Sequence, residues 1–391
     1  MTLREEVDKC IPDLTVFIQE LVKTPSVNGK NDELQVAKLI DSKSKELGLT
    51  SKLVAKDKNR PNIFVGNNFS SNKELLFISH LDTVDVGDLS RWTHKPFGAE
   101  IEKGRMFGRG VVDCKTGAAL SIYALKILKD LGYKKAAKFV GVVDEESGSN
   151  SGLGAKYLLE EGLNARSAIY TYPGFDTVTL GHRGQIKIEV QVKGESVHSG
   201  SLSWQKREKG ASAIEGLITF INELNKIKME DTLETFPGYA FVQTPLIITA
   251  GSGVGMVPAD AKVLVDVRLL PNQDNSVYLQ KVEKLIKSLE TEKMKYTLNV
   301  VSNAPGAVIS PNERIVSILE KLDKKVMRVT PEVRGCGPAN EGWMFIKAGI
   351  PTICGFGAGG SGPHAPDEYL ELNTLPKILE MYVKCAIELS K

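Results

Sequence analysis

Two polar residues follow a short apolar run in the stretch LLFISHLDTV, and their types suit metal chemistry. The run Leu75–Ile78 predicts a buried strand, and His80 and Asp82 stand at its carboxyl end, where open α/β sheets place their sites. Two residues apart on an extended chain, these side chains share a face. Asp82 is therefore predicted to bind the far ring nitrogen of His80, which leaves the near nitrogen for a metal ion.

More carboxylates follow two further apolar runs. Asp113 comes after a Val-Val pair and precedes the helical pattern Thr116–Leu131, so it stands at the amide-rich end of a helix, where negative charge is favoured. The strand pattern Ala136–Val143 ends in Asp144-Glu145-Glu146-Ser147-Gly148. Three adjacent carboxylates repel one another, and a bound cation would offset that repulsion. Each motif alone also suits hydrogen-bonded loop residues, so only their combination favours a metal site.

Four spaced motifs carry a resemblance to a known family: SHLDTV, GRGVVDCKTG, DEESG and GPHAPDE. In this order they resemble the co-catalytic zinc family of acetylornithine deacetylase, succinyl-diaminopimelate desuccinylase, aminoacylase and glutamate carboxypeptidase. The motifs span most of the chain. The resemblance implies an amidohydrolase with two zinc ions per chain, for which cobalt can substitute.

The resemblance also implies a role for each matching residue. His80 would bind the first ion, Asp113 would bridge both, and Glu146 with His364 would bind the second. Glu145 would be the general base that takes a proton from the metal-bound water, and Asp82 would orient His80. If the segment is extended, Glu145 and Glu146 point to opposite sides, which suits one base and one ligand.

Further residues are implied to bind the substrate. His198, in GESVHS, would hydrogen-bond the scissile carbonyl oxygen and stabilise the developing oxyanion. Arg268, in VDVR, would grip a substrate carboxylate bidentately. The glycine-rich loop before His364, which includes Gly357, would present backbone N–H groups to that carboxylate. The sequence leaves open that His198 caps a loop and that Arg268 pairs only with Asp266.

One position departs from the family pattern. Where the family supplies a carboxylate ligand just before a proline, this chain has Tyr172 before Pro173. A phenol with a pKa of about 10 is a poor ligand at neutral pH unless the metal removes its proton. Asp176 would substitute if the loop turns back toward the site. The sequence therefore allows either two metal ions or one strong and one weak site.

The order of strand and helix patterns predicts two domains in the 391 residues. Alternating patterns in residues 1–184 and 302–391 predict an α/β catalytic domain, with a mostly parallel sheet and helices on both faces. The resemblance implies that this domain is zinc exopeptidase-like. Residues 185–301 read β-α-β-β-α-β, which predicts an inserted ferredoxin-like α+β lid domain. By resemblance, the lid would pair two copies into a homodimer.

The composition argues against several function classes. The 50 Lys and Arg residues nearly balance the 48 Asp and Glu residues, so a net charge of +2 gives no reason to expect nucleic acid or a membrane surface as partner. No run approaches the roughly 20 apolar residues of a membrane span. Met1–Lys23 predicts an amphipathic helix, not a signal peptide. Five cysteines without paired spacing suggest a reducing interior, so we expect a cytoplasmic protein.

These expectations combine into one function. The chain would hydrolyse an amide bond next to a free carboxylate, in an N-acyl amino acid or a short peptide, through a metal-bound hydroxide and Glu145. A deacylase or desuccinylase and a carboxypeptidase-type dipeptidase both fit. A deacylase for a cationic substrate needs an acidic pocket wall, to which Glu341 would contribute. The alternative is a catalytically impaired paralogue that binds metal or an amino acid, with Tyr172 as its basis.

Overall fold

The computed structural model describes residues 2–147, 152–229, 232–251 and 253–391, so Gly148 of the DEESG motif lies outside the described residues. The chain groups into two compact units. The larger unit comprises Met1–Gly181, Val308–Cys336 and Asn340–Lys391, and the smaller unit comprises His182–Ala307 and Gly337–Ala339. The sequence places the corresponding boundaries at residues 184/185 and 301/302, a few residues from these positions.

Helices and strands are numbered here along the chain. The helices are α1 (Leu3–Lys23), α2 (Leu34–Glu46), α3 (Thr116–Asp130), α4 (Ala155–Glu160), α5 (Leu202–Gln205), α6 (Ala213–Leu224), α7 (Asn275–Leu289), α8 (Arg314–Leu322), α9 (Gly342–Lys347) and α10 (Leu375–Ser390). The strands are β1 (Ser51–Val54), β2 (Asn62–Val65), β3 (Leu75–His80), β4 (Glu100–Glu102), β5 (Arg105–Phe107), β6 (Ala137–Val142), β7 (Ser167–Tyr170), β8 (Thr177–His182), β9 (Gly184–Lys193), β10 (Val242–Ala250), β11 (Asp260–Leu269), β12 (Lys295–Ala304), β13 (Ala307–Val308), β14 (Glu332–Cys336), β15 (Thr352–Ile353), β16 (Gly360–Ser361) and β17 (Tyr369–Glu371).

The larger unit is built on a six-stranded sheet in the order β1-β2-β6-β3-β7-β15. Strand β3 pairs in parallel with β6 and β7, and β15 pairs in parallel with β7. The pairs β1–β2 and β2–β6 are antiparallel, so the sheet is mixed but mostly parallel, as predicted. His80 lies opposite Val142, and the carboxyl ends of β3 and β6 therefore meet at one edge of the sheet.

Helices cover both faces of this sheet because the central strands are apolar on both sides. Leu75 and Phe77 pack into the cluster formed by α1, α2, α3, α8 and α10, whereas Leu76 and Ile78 pack into the cluster with α4 and α9. All four side chains are buried. Full burial of one such side chain contributes about 1.5–3 kcal/mol, so β3 is held firmly and its carboxyl end is a stable platform.

Two shorter elements shape the edge where the site lies. A kinked turn at Val111–Lys115 leads directly into α3, whose side chains are buried nearly all round. Such a helix belongs in a core, so it anchors the turn before it. Strands β16 and β17 pair as an antiparallel hairpin, and β17 also pairs with β5.

The smaller unit is a four-stranded antiparallel sheet in the order β10-β11-β9-β12. Its element order is the predicted β-α-β-β-α-β, with the short helix α5 added between β9 and α6. Alternate residues of β9, such as Ile186 and Ile188, are buried against α6 and α7. This arrangement is the predicted ferredoxin-like topology.

Candidate metal centre

The carboxylate of Asp113 is shared between two histidines. Its Oδ1 lies 2.8 Å from His80 Nε2, and its Oδ2 lies 3.3 Å from His364 Nε2. Glu146 Oε1 lies 3.2 Å from the same His364 nitrogen. One carboxylate with its two oxygens directed at different ligand-type side chains is the arrangement that a bridging ligand requires. Asp113 thus has the geometry for the role that the sequence resemblance implies.

The orientation of His80 differs in detail from the prediction. Its Nδ1 lies 2.9 Å from the backbone carbonyl oxygen of Asp82, whereas the Asp82 carboxylate is 3.7 Å away. Burial alone lowers the pKa of His80, but its contacts with Cys114, Asp113 and Asp82 raise that pKa well above its usual value. Asp82 therefore orients the ring mainly through its main chain.

The carboxylate of Asp82 holds the glutamates instead. It accepts hydrogen bonds from the backbone N–H of Glu145 at 3.2 Å and of Glu146 at 2.9 Å. Asn28 Nδ2 donates to it at 2.7 Å and also reaches Asp144 Oδ1 at 3.1 Å. These donors draw the carboxylate away from the His80 ring. Asp82 consequently fixes the turn that carries both glutamates.

The two glutamates lie in a 3-10 turn, Glu145–Ser147, so the condition of an extended segment is not met. The backbone bonds to Asp82 stabilise the turn. Glu145 is buried, and its Oε1 accepts a hydrogen bond of 2.9 Å from the Tyr172 hydroxyl. Burial raises the pKa of Glu145 to about 8. Glu146 is half-buried and reaches His364, so the two side chains still serve different partners.

His364 stands in the connection of the β16–β17 hairpin, with a left-handed φ of 64°. The segment therefore forms a paired hairpin, and only its connection is a loop. Hydrogen bonds to Asp113 and Glu146 raise the pKa of His364 to about 10. Burial alone would raise the pKa of Asp113, but hydrogen bonds with His364 and His80 hold it well below its usual range.

A buried carboxylate joins this hairpin to the Asp113 turn. Glu368 accepts hydrogen bonds from Gly110 N at 3.0 Å, Val112 N at 2.9 Å, Asp113 N at 3.1 Å and Arg109 Nη1 at 2.7 Å. Arg109 Nη2 also donates to the His364 carbonyl oxygen at 3.2 Å. Because four donors converge on one carboxylate, the positions of Asp113 and His364 depend on each other.

The donor atoms fit one metal ion well. Asp113, Glu146 and His364 each offer an atom within 4.8 Å of the other two. Catalytic zinc typically keeps about three protein ligands and one open position, and His and carboxylate oxygens are among its usual ligands. Two overlapping groups contain His80, one with Asp113 and Cys114 and the other with Glu145 and Glu146.

Asp176 lies outside all three of these groups, among the residues that the structure describes. The residue is exposed, and its carbonyl oxygen accepts a hydrogen bond of 2.9 Å from Glu332 N. The chain after Tyr172 therefore runs on into β8, next to β14, and the loop does not turn back to His80. Asp176 therefore does not replace the carboxylate ligand that the family has at the Tyr172 position.

The model of Peptidase family M20/M25/M40 matches residues 76–388. The chain belongs to this family. An uncharacterized metallohydrolase of Methanocaldococcus jannaschii is 27% identical over 347 residues, which cover 83% of each chain. A succinyl-diaminopimelate desuccinylase of Rickettsia bellii is 25% identical over 393 residues, which cover 96% of each. The structure of an M20 family metallo-carboxypeptidase from Sulfolobus solfataricus matches with a TM-score of 0.78 at 20% identity, covering 97% of this chain and 99% of that chain.

The family assignment confirms the resemblance read from the four motifs, and the structural match confirms the predicted fold class. The family is one of metal-dependent hydrolases, so the coarse class of chemistry follows. The M20 relatives carry different activities in their names, and the identities are low. The substrate of this family member therefore has to be argued from its own residues.

Among the predicted substrate-binding residues of this M20 member, Gly357 has another role. Its N–H donates to the Gly174 carbonyl oxygen at 2.8 Å, so it is not available to a substrate carboxylate. A Cβ at Gly357 would lie 2.5 Å from the Tyr172 carbonyl oxygen. The glycine is required because the loop packs directly against the Tyr172 backbone, and the prediction for Gly357 is wrong.

The other two predicted substrate residues, His198 and Arg268, belong to the smaller unit. His198 is exposed, and Gly200 N donates to its Nδ1 at 3.1 Å. Because a backbone N–H only donates, Nδ1 is the acceptor and the ring proton is on Nε2. Arg268 Nε donates to Asp266 Oδ2 at 2.8 Å, which leaves its two Nη groups for other partners.

Sequence reasoning missed several residues that position the site. Glu368 stands inside the GPHAPDE motif and Arg109 inside the GRGVVDCKTG motif. These motifs could have pointed to both residues, but the sequence assigned neither of them a role. Asn28 stands in a turn without any motif, so only the structure reveals it. Glu341, expected on an acidic pocket wall, is fully buried, and that expectation is wrong. In the described part of the chain its carboxylate has no hydrogen-bond partner, and burial raises its pKa well above the usual value.

Proposed function

We propose that this M20 member is a zinc-dependent hydrolase of an amide bond next to a free carboxylate. The observation that carries the proposal is the shared Asp113 carboxylate, with Glu145 buried beside the same cluster. Asp113, Glu146 and His364 would hold the ion, and cobalt is expected to replace zinc at these ligands. When bound, the ion polarises the substrate carbonyl and lowers the pKa of a water molecule.

Glu145 is the proposed general base. The Tyr172 hydroxyl holds one of its oxygens at 2.9 Å and leaves the other to take a proton from the attacking water. The same oxygen then returns the proton to the leaving amine. Burial raises the Glu145 pKa to about 8, which favours proton uptake, and a nearby cation opposes that rise. A carboxyl poised near neutral pH suits both halves of this proton transfer.

His198 and Arg268 supply the proposed substrate contacts. By resemblance, the N–H at His198 Nε2 would donate to the carbonyl oxygen as negative charge develops on it. The Nη groups of Arg268 are available to the free carboxylate, while Asp266 holds its Nε. Substrates without a free carboxylate should therefore be poor.

Two substrate types remain within this proposal, an N-acyl amino acid and a short peptide. The names of the relatives support both, since one is a succinyl-diaminopimelate desuccinylase and another a metallo-carboxypeptidase. The buried position of Glu341 removes the expected argument for a cationic substrate. We therefore state the substrate class as the amide bond and its adjacent carboxylate.

The test is release of free amine from a pool of N-acyl amino acids and dipeptides. The zinc-loaded or cobalt-loaded chain is compared with the chelated chain, and each substrate is paired with its carboxamide-blocked analogue. Metal-dependent release from the free-carboxylate members alone is the expected result, and the members consumed identify the acyl or peptide class. Equal cleavage of blocked and free substrates would contradict the proposed carboxylate contact.

A non-hydrolytic paralogue is the second candidate, favoured by Tyr172 in place of a family ligand. In that case the metal-loaded, folded chain binds zinc or an amino acid and releases no amine from any member of the pool. The presence of Glu145 and Glu146 beside Asp113 argues against it. The two candidates differ in a single measured quantity, the rate of amine release.

We also propose that the smaller unit forms a homodimer through its β10 edge. Leu246, Ile247 and Ile248 are 53%, 59% and 57% exposed on this edge strand. An apolar edge strand with unpaired backbone groups is suited to pair with a second copy. Ile247→Lys should shift the mass measured by light scattering from dimer to monomer, and an unchanged mass would contradict this interface.

The proposed location is the cytoplasm. The proposal rests on Cys10, Cys114, Cys354 and Cys385, whose thiols are free and buried, which is typical of a reducing compartment. Within the described residues, no helix has both the length and the apolar character needed to cross a bilayer. Small substrates are the proposed partners, and the nearly balanced charge offers no feature for nucleic acid.

A further inference from the structure

The donor atoms around Asp113 divide into two halves. The exposed half consists of Glu146 and His364, and the buried half consists of His80, Cys114 and Glu145. Asp113 belongs to both halves, and Glu146 lies within reach of His80 as well as of His364. The possible ligand groups therefore overlap, and a second ion would need donors besides the shared Asp113 and Glu146.

The exposed half is complete for one ion. Asp113 Oδ2 and Glu146 Oε1 lie 3.3 Å and 3.2 Å from His364 Nε2, and each of the three side chains offers an atom within 4.8 Å of the other two. Together they supply the roughly three protein ligands that a catalytic zinc ion keeps. His364 is exposed, so a ligand position remains open to solvent and substrate.

The buried half is not complete. His80 Nε2 and Asp113 Oδ1 face each other at 2.8 Å, and within the described residues the further donors near His80 are Cys114, Glu145 and Glu146, the last of which is already directed at His364. Cys114 Sγ is turned toward the strand, 3.2 Å from Ser79 Oγ and 3.2 Å from the His80 backbone nitrogen. Glu145 Oε1 accepts the hydrogen bond from Tyr172. Cys114 is therefore engaged with β3, and Glu145 is held at one oxygen by Tyr172 while its other oxygen serves the proposed proton transfer.

Tyr172 stands before Pro173, at the sequence position where the family pattern has a carboxylate ligand. Its ring lies 5.5 Å from the His80 ring and is stacked on Tyr170 at 4.7 Å. The hydroxyl proton is used in the bond to Glu145. To bind a metal ion, the Tyr172 phenol would have to lose this proton and its hydrogen bond to Glu145. A carboxylate at the same position would bind the ion without either loss.

We propose that the chain binds one divalent metal ion, through Asp113, Glu146 and His364, and that the Tyr172–Glu145 hydrogen bond occupies the position of a second ion. His80 then stays as the hydrogen-bond partner of Asp113. The inference concerns the number of ions and their place, and it stands apart from the choice of substrate.

The test is the metal content of the folded chain. Protein stripped with chelator is dialysed against zinc at a fixed free concentration, and zinc per chain is measured by mass spectrometry of the metal. The wild-type chain and Tyr172→Phe are expected to hold one ion each. Tyr172→Asp, which supplies the missing carboxylate, is expected to hold two. Tyr133→Asp adds the same group on an exposed tyrosine and should leave the content at one.

The place of the ion is tested by a pair of matched variants. His364→Ala should reduce the zinc content from one to none at that free concentration, whereas His80→Ala should keep one ion. The opposite result, retention in His364→Ala and loss in His80→Ala, would place the ion in the buried half and overturn the proposal.

Two outcomes contradict the stoichiometry directly. Two ions in the wild-type chain, with tyrosinate absorption in the ultraviolet difference spectrum that is absent in Tyr172→Phe, would make Tyr172 a ligand. One ion in a folded Tyr172→Asp, checked by circular dichroism, would show that the tyrosine does not limit the site. If Tyr172→Asp does not fold, electron paramagnetic resonance of the cobalt-loaded wild type decides, because a pair of neighbouring cobalt ions couples and a single ion does not.

Discussion

The exposed and buried halves of the candidate metal centre contain similar residues, for which we propose different chemistry. Each half contains one histidine and one of two adjacent glutamates. Glu146 is half-buried and meets His364, whereas Glu145 is buried and accepts a hydrogen bond from Tyr172. Burial raises the pKa of the Glu145 carboxyl to about 8. Under this proposal, environment separates a metal ligand from a proton carrier more than residue type does.

Different supports hold the two halves in place. The exposed half depends on Glu368, which ties the His364 hairpin to the Asp113 turn. The buried half depends on Asp82 and Asn28, which hold the turn of the glutamates. Substitutions in each support should therefore affect metal binding and turnover to different degrees.

The largest expected effect separates the two glutamates. Glu145→Gln keeps the size and the Tyr172 contact but removes the base, so kcat should fall by about 10²–10⁴-fold with zinc content unchanged. Glu146→Gln is the matched variant of the adjacent glutamate. Its main effect should be a loss of zinc content, because Glu146 is a proposed ligand. Steady-state kinetics and metal analysis on both variants check this. Full activity in Glu145→Gln would assign the proton transfer to another group.

A smaller effect is expected from the support of the exposed half. Glu368→Gln replaces an acceptor of four hydrogen bonds with an amide, which lets the Asp113 turn and the hairpin move apart. Zinc affinity should weaken by about 10–100-fold, as measured by competition with a chelating dye. Glu371→Gln, on the same hairpin and partly exposed, is the control and should leave the affinity unchanged. Equal affinities in all three proteins would contradict the support role.

The support of the buried half should affect turnover instead. Asn28→Ala removes one donor from Asp82, so the turn that positions Glu145 loosens. We expect kcat to fall by about 10-fold, with a smaller loss of zinc affinity because the same turn also carries Glu146. Asn31→Ala, at an exposed position three residues later, provides the control. A drop in zinc affinity without a drop in kcat would place Asn28 with the other half.

The smallest expected effect is on the pH dependence of stability. It concerns a buried carboxyl outside the metal centre, which serves as a reference for the effect of burial. Asp323 is buried, neither of its carboxylate oxygens has a partner in the described residues, and burial with nearby Asp176 raises its pKa to about 7. The unfolded aspartate has a pKa of about 3.9, so the unfolded chain loses its proton first as pH rises. Wild-type stability should therefore decline between about pH 4 and 7 relative to Asp323→Asn.

Thermal unfolding of the chelated proteins measures this difference. Asp323→Asn should gain about 2–4 °C over wild type between pH 4 and 7, with no further gain above that range. Asp88→Asn, at an exposed aspartate, should show no such gain. A pH-independent difference for Asp323→Asn would mean that its carboxyl is not protonated in the folded chain.

Much of the fold follows from local sequence patterns. The apolar run before His80 forms β3, the predicted β-α-β-β-α-β order of the smaller unit is observed, and the motifs identified the family. These features depend on periodicity and on short spacings, which a single sequence displays. His80, Asp113, Glu146 and His364 were named from those motifs, and the structure brings them together.

The partner of each side chain, by contrast, depends on the tertiary structure. Arg109 and Glu368 are 259 residues apart in sequence, and Asn28 and Asp82 are 54 apart. The Asp82 carboxylate accepts hydrogen bonds from two backbone N–H groups instead of from the His80 ring, and the Gly357 N–H donates to the Gly174 carbonyl oxygen. These partners depend on which donor lies nearest after folding and on how deeply each carboxyl is buried. Short sequence spacings predict neither of these properties, because both depend on residues far apart in the chain.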